Sequence, residues 1–261
     1  MIMGHLYRQE IFKLFKRTST FICIIALIFQ NVAFAITSKL YSKFFIPKEL
    51  FVSNYATTYL ITLVMIGVTA TNVASEFGYH TINNIIYQGY SRQFILISKW
   101  LAVLTYSFLL YIIAAVVTLL NKFLFFRTTY SLTDQLKDSS QQLWQYWVST
   151  LFANFVTLWL LLSIVFLLAA ALKNGVTAII VGITGYFALS IIGRIMFQTI
   201  QKWEPLKWNP INFMNYPTQL AAPDSLSQLT RLTNTQLLIG NLLYILIFLL
   251  LGLYLFFKKK I

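Results

Sequence analysis

The chain is short of the groups that carry most enzymatic chemistry. Its 261 residues include 7 aspartates and glutamates, 2 histidines and 1 cysteine. A lone Cys23 excludes an internal disulfide. A zinc site takes three or four suitable ligands; His5 and His80 stand far apart and no HExxH pair occurs, so no metal is expected. A serine nucleophile needs a base within reach, and neither histidine is placed to serve. The pattern G-x-x-x-x-G-K-[ST] is missing, so no nucleotide is expected to bind this chain through a phosphate loop. These shortages predict a protein without catalytic residues and not an enzyme.

Charge of either sign is scarce. Charged residues make up 10% of the chain, against roughly 25% in a soluble domain. Hydrophobic residues make up 58%, and the mean hydropathy is +0.72. Such a chain cannot cover its surface with polar groups in water, so its solvent is lipid. The net charge of +13 resides in segments between apolar runs. That placement suits anionic headgroups. Nucleic acid is not expected, because no basic stripe carries interleaved stacking aromatics.

Six apolar runs, near 19–37, 51–74, 100–121, 147–171, 174–194 and 237–257, are long enough to cross a bilayer, which takes about 20 residues in a helix. Strict alternation, the mark of a membrane strand, is absent. The fold class is therefore an all-α membrane protein, a single domain over 1–261 with six transmembrane helices. Ala33-Phe34-Ala35 after the first run fits a signal-cleavage rule, but the long patterned lead favours a retained span. Six spans put both termini on one side. Arg8, Lys13, Lys16 and Arg17 precede the first span and Lys258, Lys259 and Lys260 follow the last, which predicts cytoplasmic termini.

Residues 1–18 read as an interfacial helix, with Tyr7, Ile11, Leu14 and Phe15 on one face. Proline is rare, yet four of the five, Pro205, Pro210, Pro217 and Pro223, fall in 195–236. That excludes one continuous helix there. Trp203 and Trp208 suit the membrane interface, so short interfacial or re-entrant pieces on the outer side are expected.

Uncharged polar residues gather in the first two spans: Gln30, Asn31, Asn54, Thr58 and Thr62. In lipid such groups bond to neighbouring helices or line a watery path. Both readings stand, interhelical ties and a substrate-facing wall. Gly175, Ala178, Gly182 and Gly185 lie along one face of the fifth span. Small residues let helices approach closely, and the partner helix belongs either to this bundle or to a second subunit.

The 75–99 segment holds the longest polar-leaning stretch between spans. Residues 79–88 read as a short helix with Ile82, Ile85 and Ile86 on its apolar side. Gly89 is expected to stop it and Ser91 to cap the next helix. Glu76 and Arg92, at the ends of the protrusion, are placed to pair or anchor it.

The stretch EFGYHTINNIIYQGYSRQFILISK resembles the pattern E-F-x-x-G-T-x-x-x-x-x-x-x-G-x-S-R-x-x-x-x-x-x-K of ABC type 2 transporter permeases. Glu76, Phe77, Thr81, Gly89, Ser91, Arg92 and Lys99 match; His80 replaces the family's glycine, and Asn83 an often basic position. The resemblance implies a coupling helix in 75–99 that contacts a cytosolic ATPase through Glu76, His80, Thr81, Asn84, Gln88, Gly89, Ser91 and Arg92. It implies two ATPase subunits that hold the ATP and magnesium, and a second permease subunit, identical or not. Span one commonly meets span five across that interface, which would give Gly175, Ala178, Gly182 and Gly185 a role there. Compact six-span members occur in bacterial systems that export, or give immunity to, antimicrobial peptides. The expected function is thus a permease for an amphipathic peptide or lipid-like compound in the bacterial cytoplasmic membrane. The alternative is a non-transporting membrane sensor or anchor for a cytosolic complex.

Overall fold

The computed structural model describes residues 2–78, 90–135, 141–172 and 175–258. These are almost entirely helical, with no strand among them. In chain order the helices are α1 (Ile2–Lys16), α2 (Thr18–Leu40), α3 (Pro47–Val52), α4 (Thr57–Gly78), α5 (Arg92–Phe125), α6 (Leu143–Ala171) and α7 (Gly175–Lys202). Then come a 3-10 turn (Glu204–Trp208), α8 (Pro210–Phe213), α9 (Tyr216–Ala221), α10 (Pro223–Thr230) and α11 (Asn234–Lys258). Among the described residues six segments are long and apolar enough to cross a membrane, as expected for a multi-pass membrane protein. Several outrun their apolar cores. The third span, expected at 100–121, is the 34-residue α5, about 51 Å long at 1.5 Å per residue. The hydrocarbon core is about 30 Å thick, so the polar start of α5 has helical length to spare.

The chain divides into two compact units. One comprises Met1–Glu10, Met65–Val103 and Ala153–Ile261; the other comprises Ile11–Val64 and Leu104–Phe152.

In the second of these, α2 buries a narrow stripe of Thr20, Leu27, Asn31, Ala35 and Ser38. Phe21, Ile25, Phe29 and Leu40 remain exposed on its other sides, the surface a lipid tail meets. The second span is not the uninterrupted helix expected at 51–74. It breaks at Ser53-Asn54-Tyr55-Ala56, where Asn54, Tyr55 and Ala56 have φ of 52, 49 and 60°. The left-handed region costs an L-residue roughly 1–2 kcal/mol, so something outside the segment must hold it there. Part of the hold is packing. Phe51, Val52 and Tyr55 are buried with Phe126, Tyr130, Leu143 and Trp147, and the Phe51 and Trp147 rings lie 5.3 Å apart.

In the first unit the proline-rich segment is folded, not an open loop. Each of its four prolines stands in the first turn of a short helix, where the missing N–H is no loss. Side-chain amides close the gaps between these helices. Asn212 donates to the carbonyls of Lys207 (2.8 Å) and Thr230 (3.0 Å). Gln219 donates to the Leu232 carbonyl (2.8 Å), and Asn241 of α11 to that of Phe213 (2.9 Å). Gly240 lets the Phe213 ring lie against α11: a Cβ there would collide with the ring.

Candidate functional site

α1 presents Met3, Leu6, Tyr7, Glu10, Ile11, Leu14 and Phe15 on its more buried side. This widens the expected apolar face and puts a carboxylate on it. Glu10 is buried. Its Oε2 accepts a hydrogen bond from Lys99 Nζ at 3.0 Å, with the side chains 6% and 1% exposed. The same ammonium reaches Asn72 Oδ1 of α4 at 3.4 Å. Burial of either charge alone is prohibitive, and breaking a buried pair leaves the surviving charge without compensation. The pair thus ties α1 to α5, and Asn72 ties both to α4.

The C-terminal end of the 79–91 connector leads into α5 about two turns before Lys99. Ser91 Oγ accepts from the Phe94 backbone N–H at 3.5 Å, the expected cap at the start of α5. Arg92 Nη1 donates to the Phe257 carbonyl of α11 at 3.3 Å. The N-terminal helix, the end of the last span and the exit from the connector therefore meet at one end of this unit. Glu76 belongs to the last turn of α4, and its side chain is not among those described. His80, Thr81, Asn84, Gln88 and Gly89 lie outside the described residues.

The polar residues of the first two spans form a second site, in the other unit. Asn31 is wholly buried. Its Nδ2 lies 3.2 Å from the Asn54 carbonyl, 2.9 Å from Thr57 Oγ1 and 3.1 Å from Thr118 Oγ1. Its Oδ1 accepts from Asn121 Nδ2 at 2.9 Å. Gln30 donates to the Ala56 carbonyl at 3.3 Å. Trp147 Nε1 donates to Asn54 Oδ1 at 2.9 Å. Irregular backbone at membrane depth must find its partners inside the protein, and Gln30 and Asn31 supply them to the left-handed break. The Thr62 hydroxyl turns back to the Thr58 carbonyl at 2.9 Å, and the Thr58 side chain is buried. In this structure Gln30, Asn31 and Asn54 act as interhelical ties.

The small face of α7 meets helices of the same chain along part of its length. Ala178 is wholly buried, and a Cβ on Gly182 would meet Ile66 Cγ2 at 2.7 Å and Val165 Cγ2 at 3.5 Å. Gly182 is thus spent on packing within the chain, against α4 and α6. Gly185 has open space beside it. Gly175 begins the helix.

A family model described as a protein of unknown function, DUF2705, matches residues 23–261. The chain belongs to the DUF2705 family. No curated protein matches it. The DUF2705 match takes in Lys99, Asn72 and the whole Asn31 cluster, while Glu10 precedes it. Among the described residues of this DUF2705 chain no group of three metal-ligating side chains occurs.

Sequence reasoning missed Glu10, Thr118, Asn121 and Trp147. A signal existed for Glu10, which interrupts the stripe of Leu6, Tyr7, Ile11, Leu14 and Phe15. No comparable signal marked Thr118, Asn121 or Trp147, which stand among similar residues along apolar helices.

Proposed function

We propose that this chain is the transmembrane permease subunit of an ATP-binding-cassette exporter. It moves an amphipathic substrate, an antimicrobial peptide or lipid-like compound, with ATP hydrolysed by separate cytosolic subunits. Both termini and the 75–99 segment face the cytoplasm in this reading. The observation that carries it is the buried Lys99–Glu10 pair. Lys99 is the last residue of the stretch that resembles the permease pattern. A push on the 79–91 connector from a partner enters α5 at Ser91 and Arg92. The Lys99–Glu10 bond and the Arg92–Phe257 contact pass it to α1 and α11 together. A connector meant only to join two spans has no need of a charge pair sealed from solvent at its exit.

The test is affinity purification of the tagged chain in mild detergent, with identification of stoichiometric partners. The expected result is an ATPase with nucleotide-binding motifs, lost when residues 79–92 are replaced by a flexible linker. A stable, monodisperse chain that brings down no ATPase, under conditions that preserve membrane complexes, overturns the reading in favour of a sensor or anchor.

A further inference from the structure

We propose that residues 53–56 form a two-state hinge in the second span. One state is the bent, left-handed conformation of the structure. In the other the segment turns right-handed and joins α3 to α4 as one helix from Pro47 to Gly78.

The local sequence and the local structure disagree here. Sharp bends fall at proline, at glycine or where a side chain inserts into the ladder; Ser53-Asn54-Tyr55-Ala56 holds no proline or glycine, so this bend depends on inserted side chains from elsewhere in the chain. Alanine is the best helix former, and serine, tyrosine and asparagine are tolerated in a helix. Left-handed L-residues occur as single residues, not in runs. Here Asn54, Tyr55 and Ala56 adopt it consecutively. Pro47 offers no obstacle to the longer helix, because it occupies the first turn.

Contacts from other segments impose the bend. Gln30 and Asn31 take the Ala56 and Asn54 carbonyls, and the Trp147 indole takes the Asn54 side chain. The same carbonyls also accept backbone amides in the bent state, Asn54's from Thr57 at 3.0 Å and Ala56's from Tyr59 at 3.3 Å; in a continuous helix they would accept from amides four residues ahead. The bent state is also incompletely satisfied. Asn54 Nδ2 is buried without a hydrogen-bond partner, whereas buried polar atoms are nearly always paired. Strained backbone of this kind persists only where its surroundings over-determine it, and it gathers at switches. Straightening draws Phe51 and Val52 out of their aromatic cluster. Lipid tails offer equally apolar surroundings in exchange, and what is lost is the packing within the cluster. The two states are thus close enough in free energy to exchange.

This inference stands apart from the exporter reading, and its test needs neither ATPase nor substrate. The full chain, with Cys23→Ser, is reconstituted in nanodiscs. Spin labels go on Ile36→Cys of α2 and Glu49→Cys of α3, both exposed, and dipolar spectroscopy gives the distance distribution. Two populations are expected, one at the separation of the bent structure. Ala56→Gly removes the left-handed penalty at one residue and should enrich the bent population about tenfold relative to the other. Gln30→Leu removes one tie and should deplete it. A single bent population in the parent and both variants overturns the hinge, as does a shift of Ala56→Gly away from the bent state. Ala56→Gly alone suffices if Gln30→Leu fails to fold.

Discussion

Lys99 Nζ lies 3.0 Å from Glu10 Oε2, and neither side chain is more than 6% exposed. The two residues are far apart in sequence, yet each is what makes the other's burial possible. Apolar burial and helix propensity govern most of the chain; here a charge–charge contact joins the apolar burial of Leu6 and Leu14 in seating α1.

Loss of one partner should therefore cost more than loss of both. Lys99→Met leaves the Glu10 carboxyl buried without that ammonium, at a cost of about 3–5 kcal/mol. Glu10→Leu with Lys99→Met should recover most of that, because a well-packed apolar pair replaces the ions. Thermal unfolding of the two single variants and the double variant in one detergent gives the cycle. Additive losses would refute the pairing.

A contrast is expected at the surface. Lys48 Nζ and Asp134 Oδ2 lie 2.8 Å apart, but their side chains are 38% and 36% exposed. The bond to Lys48, helped by the Ser131 N–H, holds the Asp134 carboxyl below its ordinary value. A depressed acid stabilises the fold above its unfolded pKa, about 3.9, and that contribution is lost as pH falls through the lower folded value. Asp134→Asn should thus change stability by less than about 1 kcal/mol at neutral pH, since solvent screens the pair. The difference should be flat from pH 5 to 8 and vanish at strongly acid pH. Thermal midpoints across that range check both statements.

The glycines of the apolar helices should sort by the space beside them. Gly240→Ala forces a Cβ into the Phe213 ring, and overpacking of this kind costs about 1–3 kcal/mol. Gly182→Ala meets Ile66 Cγ2 at 2.7 Å and should cost less, because the end of an isoleucine side chain can shift. Gly185→Ala has nothing within 4 Å and should be neutral or slightly stabilising through helix propensity. Melting points of the three alanine variants give the order.

Asn31 should be the most sensitive polar residue of its unit. Asn31→Leu abandons the Asn54 carbonyl, Thr57, Thr118 and Asn121 together. A single bond between membrane helices is worth about 0.6 kcal/mol on average, so a loss of about 2–3 kcal/mol is expected. Trp147→Phe abandons only the bond to Asn54 and should cost about 1 kcal/mol or less in hydrogen bonding. Chemical unfolding in mixed micelles measures both, and equal effects would remove Asn31 from the centre of the cluster.

The apolar runs determined that this chain is helical and long enough in six places to cross a bilayer, because only a helix or closed barrel satisfies its backbone in lipid and no alternation is present. The prolines of 195–236 determined a broken segment, since each removes an amide that a continuous helix requires. Ser91 announced the start of α5 by its capping chemistry. The tertiary structure alone decided the rest. Nothing in Ser53-Asn54-Tyr55-Ala56 forbids a right-handed turn, so its left-handed path follows from Gln30, Asn31 and Trp147, which come from distant helices. Spacing put Ala178 and Gly182 on one face, but only packing showed that Gly182 meets α4 and α6 of the same chain. Lys99 was visible as the end of a polar stretch, and Glu10 as an interruption in an apolar stripe. Their pairing was not, because periodicity reports which side of a helix a residue takes and is silent on what another helix brings to meet it.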